Sequence, residues 1–405
     1  MTSELKNPFR PGAGHMPPYL AGREPEIEEF KRLLKQDVIL ENMVLTGLRG
    51  VGKTVLLDTL KPIAINEGWI WVGTDLSESA SLSEGNMALR LLTDLSVVTS
   101  TIITGASKKI GMGFSATAQI IPETLNYASL IKIYNETPGL SADKLKNVLE
   151  LVHAYIKNID SVKGFVFAYD EAQNLSDHSP KNEYPLSLLL DVFQSIQKKG
   201  IKFILVLTGL PTLFPKLVEA RTFSERMFRV VFLDKLTEDA SRDAIVIPIK
   251  QQECSVSFTE ESIKTIVSVS KGYPYFIQFI CREVFDIFVQ NYNAGKELPT
   301  VPIKEILRKL DTDFFAGRYA RATDRQRDLL KLIARLDNSD GEFTVHEIVD
   351  LSKREQEKPF SSSHANQMLN TLTESGLIYK NRHGKYAFAV PLLGQFIRRQ
   401  MRQAD

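Results

Sequence analysis

Three short runs of apolar residues stand out along the chain, each bounded by polar or glycine-containing stretches. They are NMVLTG (42–47), GFVFAY (164–169) and IKFILVLTG (201–209). Continuous apolar runs of about four to eight residues are typical of strands buried on both faces, as in a parallel sheet. The segment KTVLLDTLKPIAI (53–65) instead has apolar residues at helical spacing. The pattern predicts an α/β core around a parallel sheet.

A different pattern covers the C-terminal part of the chain. Three amphipathic segments, TDRQRDLLKLIARL (323–336), TVHEIVDLSK (344–353) and SSSHANQMLNTLTESGLI (361–378), predict three helices. YKNRHGKYAFAV (379–390) predicts two strands around a turn at residues 383–384. Three helices followed by a β-hairpin predict a winged helix.

We predict four parts along the chain, and the bounds of the second and third follow from the family resemblance described below. The parts are an N-terminal tail (1–17), a core (18–235), a helical lid (236–317) and a winged helix (318–405). An insert at 76–158 interrupts the core, and segments of this length are often a working surface or a mobile lid. The alternative is a hairpin or a helical pair packed on the core.

Composition and charge narrow the function only slightly. Hydrophobic residues make up 43% of the chain, charged residues 24%, and the formal net charge is +1. These values are ordinary for a soluble globular protein and give no argument for a nucleic-acid or membrane partner. The only cysteines, Cys254 and Cys281, are too few for a disulfide framework or a zinc site. With no signal-peptide pattern and no long apolar run, we expect a soluble, cytoplasmic protein without a membrane partner.

The segment GLRGVGKT (47–54) has the G-x-x-x-x-G-K-[ST] pattern and lies between a predicted strand and a predicted helix. This is the context that a phosphate-binding loop requires. The glycines allow the backbone to curl around phosphate, Lys53 can reach the β- and γ-phosphates, and the Thr54 hydroxyl can bind Mg²⁺. We therefore predict ATP with Mg²⁺ as the ligand, although the pattern gives Arg49 no specific role. The predicted nucleotide-binding residues are Gly47, Leu48, Arg49, Gly50, Val51, Gly52, Lys53, Thr54 and Val55.

Two acids follow the second apolar run, in GFVFAYDEAQNL. Carboxylates at the C-terminal tip of a buried parallel strand lie where α/β sheets present their chemistry. Asp170 is predicted to hold Mg²⁺, usually through water, and Glu171 to polarise the attacking water. The alternative is that both acids cap the next helix.

The third apolar run ends at Thr208, which is predicted to sense the γ-phosphate. The alternative is a turn-forming or capping hydroxyl before Gly209 and Pro211.

In this order and spacing, the phosphate loop, FAYDEAQ and VLTGLP resemble the ATPase core of AAA+ proteins. More narrowly, they resemble the branch that holds origin-recognition initiators, transposition-regulator ATPases and STAND-type ATPases. The leader YLAGREPEIEEFKRLL (19–34) supports that branch. The resemblance implies that Gly22 and Arg23 line the adenine pocket. It also implies the fold class: an α/β, parallel-sheet P-loop ATPase core, an α-helical lid and a C-terminal winged helix.

The resemblance implies two further site features. An arginine finger is expected within EARTFSERMFRVVFL (219–233), where Arg226 matches the family position best among three arginines. The alternative for Arg226 is a solvated helix arginine. In KGYPYFIQ (271–278), Pro274 is expected to approach the adenine, while Tyr275 occupies the position of a sensing arginine in some relatives. Turnover is therefore expected to be slow or dependent on a partner.

Two functions remain open at this stage. The first is an ATP-driven, homo-oligomeric switch that acts on DNA through the winged helix. The second is a regulatory scaffold ATPase whose winged helix and insert bind a partner protein, as in signalling or anti-phage defence. Residues 318–405 contain 15 basic and 11 acidic residues, so this region is only mildly basic. A DNA contact would use polar residues of the third helix and the wing tip: Ser362, Ser363, His364, Asn366, Gln367, Lys380, Arg382, His383 and Lys385.

Overall fold

The computed structural model describes residues 6–109, 119–157, 159, 161–251, 256–296, 300–382 and 384–404. Cys254, His383 and the middle of the predicted insert lie outside these ranges. The chain divides into two compact units. The sheet unit comprises residues 24–46 and 56–232, and the loop unit comprises residues 1–23, 47–55 and 233–405.

The first part of the chain alternates helices with the strands of a five-stranded sheet. The sheet has the strand order β2-β5-β6-β1-β7, and its β2/β5, β5/β6 and β6/β1 pairs are parallel. β1, β5 and β6 are buried along their whole length, which confirms the parallel sheet that the three apolar runs predicted. The elements are α1 (Glu24–Leu34), β1 (Asn42–Gly47), α2 (Lys53–Asn66), β2 (Trp69–Val72), α3 (Glu84–Thr99), β3 (Ile103–Lys109), β4 (Gln119–Thr124), α4 (Tyr127–Glu136), α5 (Ser141–Ile156), β5 (Gly164–Tyr169), α6 (Pro185–Lys198), β6 (Phe203–Gly209), α7 (Leu213–Ala220), α8 (Ser224–Met227) and β7 (Phe228–Leu233).

The predicted insert contributes helices to the core of the sheet unit. Leu91 of α3, Leu130 of α4 and Leu149 of α5 are at most 1% exposed and belong to the same cluster as the sheet residues Phe165 and Phe203. β3 and β4 pair antiparallel. For α3, α4 and α5, the structure therefore agrees with the alternative in which the insert packs on the core.

The loop unit is mainly helical. One hydrophobic cluster runs through it, from Phe276 and Phe285 in the predicted lid to Phe315 and Phe396, whose stacked rings have centroids 5.2 Å apart. The predicted lid and the C-terminal region therefore share a core. The elements are α9 (Glu238–Gln251), α10 (Glu260–Ser270), α11 (Pro274–Asn293), α12 (Ile303–Leu310), a π-helical turn (Asp311–Ala316), α13 (Gly317–Tyr319), α14 (Asp324–Arg335), α15 (Val345–Glu355), α16 (Ser362–Glu374), β8 (Ile378–Arg382), β9 (Lys385–Phe388) and α17 (Leu393–Ala404).

The C-terminal region contains the three helices and the hairpin that its sequence predicts. Thr323 caps α14 in a capping box with Gln326, and Ser361 caps α16. β8 and β9 pair antiparallel. The sequence did not predict α17, and the winged-helix assignment stays a prediction.

Part of the predicted N-terminal tail is packed into the loop unit. Phe9 is only 3% exposed, and its ring stacks on Phe258 with centroids 6.1 Å apart. The Asn7 side-chain amide donates to the Arg282 carbonyl oxygen at 2.9 Å. None of the described helices has the length and apolar character needed to cross a membrane.

Candidate functional site

The phosphate loop has the predicted strand–turn–helix geometry, because β1 ends at Gly47 and α2 begins at Lys53. Gly50 and Gly52 have φ angles of 79° and 92°, a region that residues with a Cβ rarely adopt. A Cβ on Gly47 would lie 2.4 Å from the Leu233 carbonyl oxygen. The curled backbone of the loop therefore favours glycine at positions 50 and 52 and leaves no room for a Cβ at position 47.

Lys53 places a positive charge inside the loop. Its Nζ donates to the carbonyl oxygens of Gly47 and Leu48, both at 2.9 Å, so the ammonium group lies across the loop. The loop leads directly into α2, and the N-terminal amides of a helix favour anions. A glycine cradle, an ammonium group and a helix N-terminus together fit a bound di- or triphosphate.

Arg23 supports this loop through the backbone. It is 5% exposed, and its Nη2 donates to the Val51 carbonyl oxygen at 2.9 Å and to the Asp234 carbonyl oxygen at 2.8 Å. The adjacent Gly22 has a φ of 62°, and a Cβ there would lie 2.7 Å from the Cβ of Ala240. The hydrogen bonds just described give Arg23 a positioning role, and contact with adenine stays a prediction.

The N-terminus of α11 contacts the same loop. Pro274 is its first residue, and the backbone N–H of Tyr275 donates to the Gly50 carbonyl oxygen at 3.1 Å. The structure therefore brings the residue after Pro274 to the phosphate loop, and the approach of Pro274 to adenine stays a prediction. Tyr275, which stands where some members of the resembled family have a sensing arginine, binds the loop through its backbone.

In the sheet unit, Asp170 and Glu171 follow the buried strand β5. Asp170 is 4% exposed, and its Oδ1 accepts from the Glu171 backbone N–H at 2.7 Å. Glu171 is exposed and has a φ of 52°, a left-handed conformation that costs a non-glycine residue about 1–2 kcal/mol. Its side chain makes no capping hydrogen bond to the turn that follows. This strained geometry indicates a functional constraint on Glu171 and argues against a capping role.

Gln173 is a candidate site residue that the sequence interpretation missed. Its Nε2 donates to the Glu171 carboxylate, and its Oε1 accepts from the backbone N–H of Leu210 at 3.1 Å. The Lys216 ammonium donates to the Gln173 carbonyl oxygen at 2.7 Å, and burial lowers the pKa of Lys216. Gln173 thus links Glu171 to the residues that follow β6. The only signal in the sequence was a polar residue two positions after the acidic pair.

Thr208 lies at the carboxyl end of β6, next to the acids. The register pairs Tyr169 with Leu207, which places Thr208 beside Asp170 at the same edge of the sheet. Thr208 is 0% exposed, and its Oγ1 has no hydrogen-bond partner among the described residues. A buried hydroxyl without a partner costs about 1–3 kcal/mol. The proposed turn-forming or capping hydrogen bond of Thr208 is therefore not seen.

Of the three arginines near β7, Arg226 is the one without an ion pair within the described part of the chain. Arg221 binds Asp191 through two hydrogen bonds of 2.8 and 2.7 Å, and Arg229 pairs with Glu29. Arg226 lies on α8 and is exposed. Its guanidinium is available for an external partner.

The predicted magnesium ligands are Thr54 in the loop unit and Asp170 in the sheet unit. Among the described residues, no group of three or more His, Cys, Asp or Glu side chains is arranged to hold a metal ion. The Mg²⁺ site stays a prediction.

Two family models match parts of this chain. Residues 19–195 match the AAA ATPase domain, and residues 312–397 match a domain of unknown function (DUF8462). None of the curated proteins matches the sequence. Residues 19–195 are therefore similar to AAA ATPase domains, over less than half of the chain, and the C-terminal region is similar to a domain of unknown function.

Solved structures share the fold over nearly the whole chain. The Walker-type ATPase PABY2304 of Pyrococcus abyssi is 16% identical with a TM-score of 0.57, and the alignment covers 94% of this chain and 96% of that one. The ADP form of the Aeropyrum pernix ORC2 protein is 13% identical with a TM-score of 0.53, covering 96% and 97%. At these identities the similarity shows the fold alone. The predicted AAA+ resemblance and the parallel-sheet P-loop ATPase fold are confirmed.

Proposed function

We propose that this protein is an ATP-dependent molecular switch that binds and hydrolyses ATP and uses the energy for conformational change and assembly. The geometry of the phosphate loop carries this proposal, because Lys53 and the glycine turn provide a site for phosphate oxygens. ATP would supply the phosphoanhydride bond whose cleavage drives the switch. Isothermal titration calorimetry with ATP, together with a phosphate-release assay on the full chain, tests both parts of the proposal.

Within this proposal, the protein residues have distinct tasks. Lys53 would bind the β- and γ-phosphates, and the Thr54 hydroxyl and the Asp170 carboxylate would be the protein ligands of Mg²⁺. Glu171 accepts a proton from the attacking water, and Gln173 fixes the orientation of its carboxylate. The buried Thr208 hydroxyl, at the end of β6, donates a hydrogen bond to the γ-phosphate.

Arg226 is proposed to act as an arginine finger in the site of a neighbouring copy. Its exposure and the absence of an ion pair among the described residues support this role, because a finger must be able to enter another subunit. An arginine there would stabilise the charge that develops on the phosphates. The role requires a homo-oligomer.

Subunit mixing tests the finger. Lys53→Ala and Arg226→Ala chains should each be inactive alone, whereas a mixture should regain activity, since mixed interfaces combine one intact loop with one intact finger. Arg229→Ala is the matched control, because the Arg229 guanidinium is paired with Glu29. A mixture that never exceeds the separate variants would show that Arg226 does not act between subunits.

We further propose that the switch acts on DNA through the C-terminal region. The polar residues Ser362, Ser363, His364, Asn366 and Gln367 are exposed on α16, and Lys380 is exposed on β8. Polar side chains of this kind can contact base edges, while lysines bind phosphates. Affinity for a DNA duplex should fall steeply with salt, and Lys380→Ala should reduce the slope by about one.

A partner protein is the second candidate, and one observation favours it. The exposed positions of α16 within 362–374 include neither Lys nor Arg, which is unusual for a helix that enters a DNA groove. Absence of duplex binding at low salt, or binding that does not depend on salt, would support the partner-protein function over the DNA function.

A further inference from the structure

The outer residues of the phosphate loop contact the C-terminal region of the loop unit. Leu48 packs against Tyr379, Ala387 and Ala389 of the hairpin. The Nη2 of Arg49 lies 3.0 Å from the position that a Cβ would occupy on Gly376. A side chain larger than hydrogen at position 376 would therefore displace the Arg49 guanidinium.

A stack of aromatic rings places a second arginine near this loop. The backbone N–H of Tyr275 donates to Gly50, and the Tyr275 ring lies on Phe314 with centroids 4.8 Å apart. The guanidinium carbon of Arg318 lies 4.1 Å from the centroid of the Phe314 ring, and Arg318 Nη1 donates to the Phe314 carbonyl oxygen at 2.6 Å. Arg318 is thus fixed in position through Phe314 and Tyr275.

The two guanidinium groups repel each other. Within the described part of the chain, neither Arg49 nor Arg318 forms an ion pair with a carboxylate. Burial lowers the pKa of Arg318, and the positive charge of Arg49 lowers it further. Like charges held together without a counter-ion destabilise each other, and a bound anion would relieve that repulsion.

The position of Lys53 indicates which anion fits. Its ammonium group binds the carbonyl oxygen of Leu48, which belongs to the peptide unit that joins Leu48 to Arg49. An ammonium in such a loop reaches the β- and γ-phosphates of a nucleotide. The backbone of Arg49 therefore lies near the expected position of the terminal phosphate. Its side chain extends on the side of the loop that contacts the C-terminal region.

We propose that Arg49 and Arg318 together bind the terminal phosphate of ATP and thereby distinguish ATP from ADP within one chain. This inference rests on the proposed function of the loop as an ATP site. It gives the chain an internal sensor, although Tyr275 occupies the position where some related ATPases have a sensing arginine. Because Leu48 and Arg49 also contact the hairpin and Gly376, occupancy of this anion site would be transmitted to the C-terminal region.

The test compares the affinities of the full-length protein for ATPγS and ADP, measured by calorimetry in Mg²⁺ buffer. Arg49→Gln and Arg318→Gln should each weaken ATPγS binding by about tenfold or more, the loss of a charge-assisted contact. ADP affinity should change by less than about twofold, because ADP lacks the phosphate concerned. Arg354→Gln is the matched control, since Arg354 is exposed on α15 of the same unit.

A second readout keeps the proposal testable if Arg318→Gln destabilises the fold. The rise in melting temperature caused by ATPγS should exceed that caused by ADP in the wild type, and Arg49→Gln, which changes an exposed side chain, should abolish the difference.

Three outcomes would overturn the inference. The first is an equal loss of ATPγS and ADP affinity, and the second is no change in either. The third is an unchanged ratio of ATPγS affinity to ADP affinity in variants that bind a DNA duplex more weakly. That result would assign both arginines to nucleic-acid phosphates. Failure of the wild type to bind either nucleotide would instead refute the proposed ATP function itself.

Discussion

The phosphate loop of the loop unit and the acidic strand ends of the sheet unit both follow buried strands, but different atoms hold them in place. The loop is fixed mainly by backbone groups: glycine conformations, the Gly50 carbonyl bound by Tyr275, and the Val51 carbonyl bound by Arg23. The strand ends are linked by a side chain, because Gln173 donates to the Glu171 carboxylate and accepts from the Leu210 backbone N–H at 3.1 Å. The comparison indicates that changes in the loop should affect binding and stability together, whereas changes at the strand ends should separate turnover from stability.

Glu171→Gln should give the largest effect. We expect turnover to fall by about 100- to 10,000-fold, the contribution of a positioned general base, while ATP affinity is retained. Glutamine has the same size and shape as glutamate, and its side-chain oxygen can still accept the hydrogen bond from Gln173, so the fold should not change. The measurement is single-turnover hydrolysis beside calorimetric binding, with Glu78→Gln as the exposed control in the same unit. Unaltered turnover would remove Glu171 from its role.

Lys53→Ala should weaken ATP binding by about 100-fold, because the ammonium group is the charged partner of the phosphates in the loop. Calorimetric titration measures the loss. Lys61→Ala is the matched control, since Lys61 is exposed on the same helix α2. If both variants bind ATP as the wild type does, the phosphate-loop assignment is wrong.

Thr208→Val should move stability and turnover in opposite directions. Removing a buried hydroxyl that lacks a partner should raise the free energy of unfolding by about 1 kcal/mol. Turnover should fall by about tenfold or more if the hydroxyl donates to a developing charge. Thr46→Val is the control, because its Oγ1 is also buried without a partner on the neighbouring strand β1. Urea denaturation and phosphate release check the two quantities, and parallel changes in both variants would contradict the assignment.

Gly52→Ala should give the smallest effect. A positive φ costs alanine about 1 kcal/mol, although no atom within 4 Å would contact the new Cβ. Gly200→Ala is the control, because Gly200 has a φ of 76° and a Cβ there would also meet no atom within 4 Å. Gly200 is far from the phosphate loop in the sequence. Both variants should lose similar stability in urea titrations, but only Gly52→Ala should also lose ATP affinity. Equal ATP affinity in the two variants would show that the conformation of Gly52 does not matter for binding.

The features that could be predicted from the sequence are those encoded over a few consecutive residues. The three buried strands and the strand–turn–helix around Lys53 are each determined by the residue pattern of one short segment. Contacts between distant residues could not be predicted, because one chain gives no information on which segments meet. The pairing of Arg221 with Asp191 and the hydrogen bond of Gln173 to the residue after β6 are of this kind. The contact between Arg49 and Gly376 could not be predicted for the same reason, since the two residues are hundreds of positions apart in the sequence.

The division of the chain into units has a consequence for truncated forms of the protein. The loop residues 47–55 belong to a compact unit whose other members begin at residue 233. A fragment ending at residue 232 would keep the complete GLRGVGKT sequence and both acids, but it would lose Asp234, Tyr275 and every C-terminal contact of Leu48 and Arg49. Such a fragment should hold its loop loosely and be cleaved there by protease sooner than the full chain. Nucleotide affinities measured on it would describe a site that the intact protein does not have.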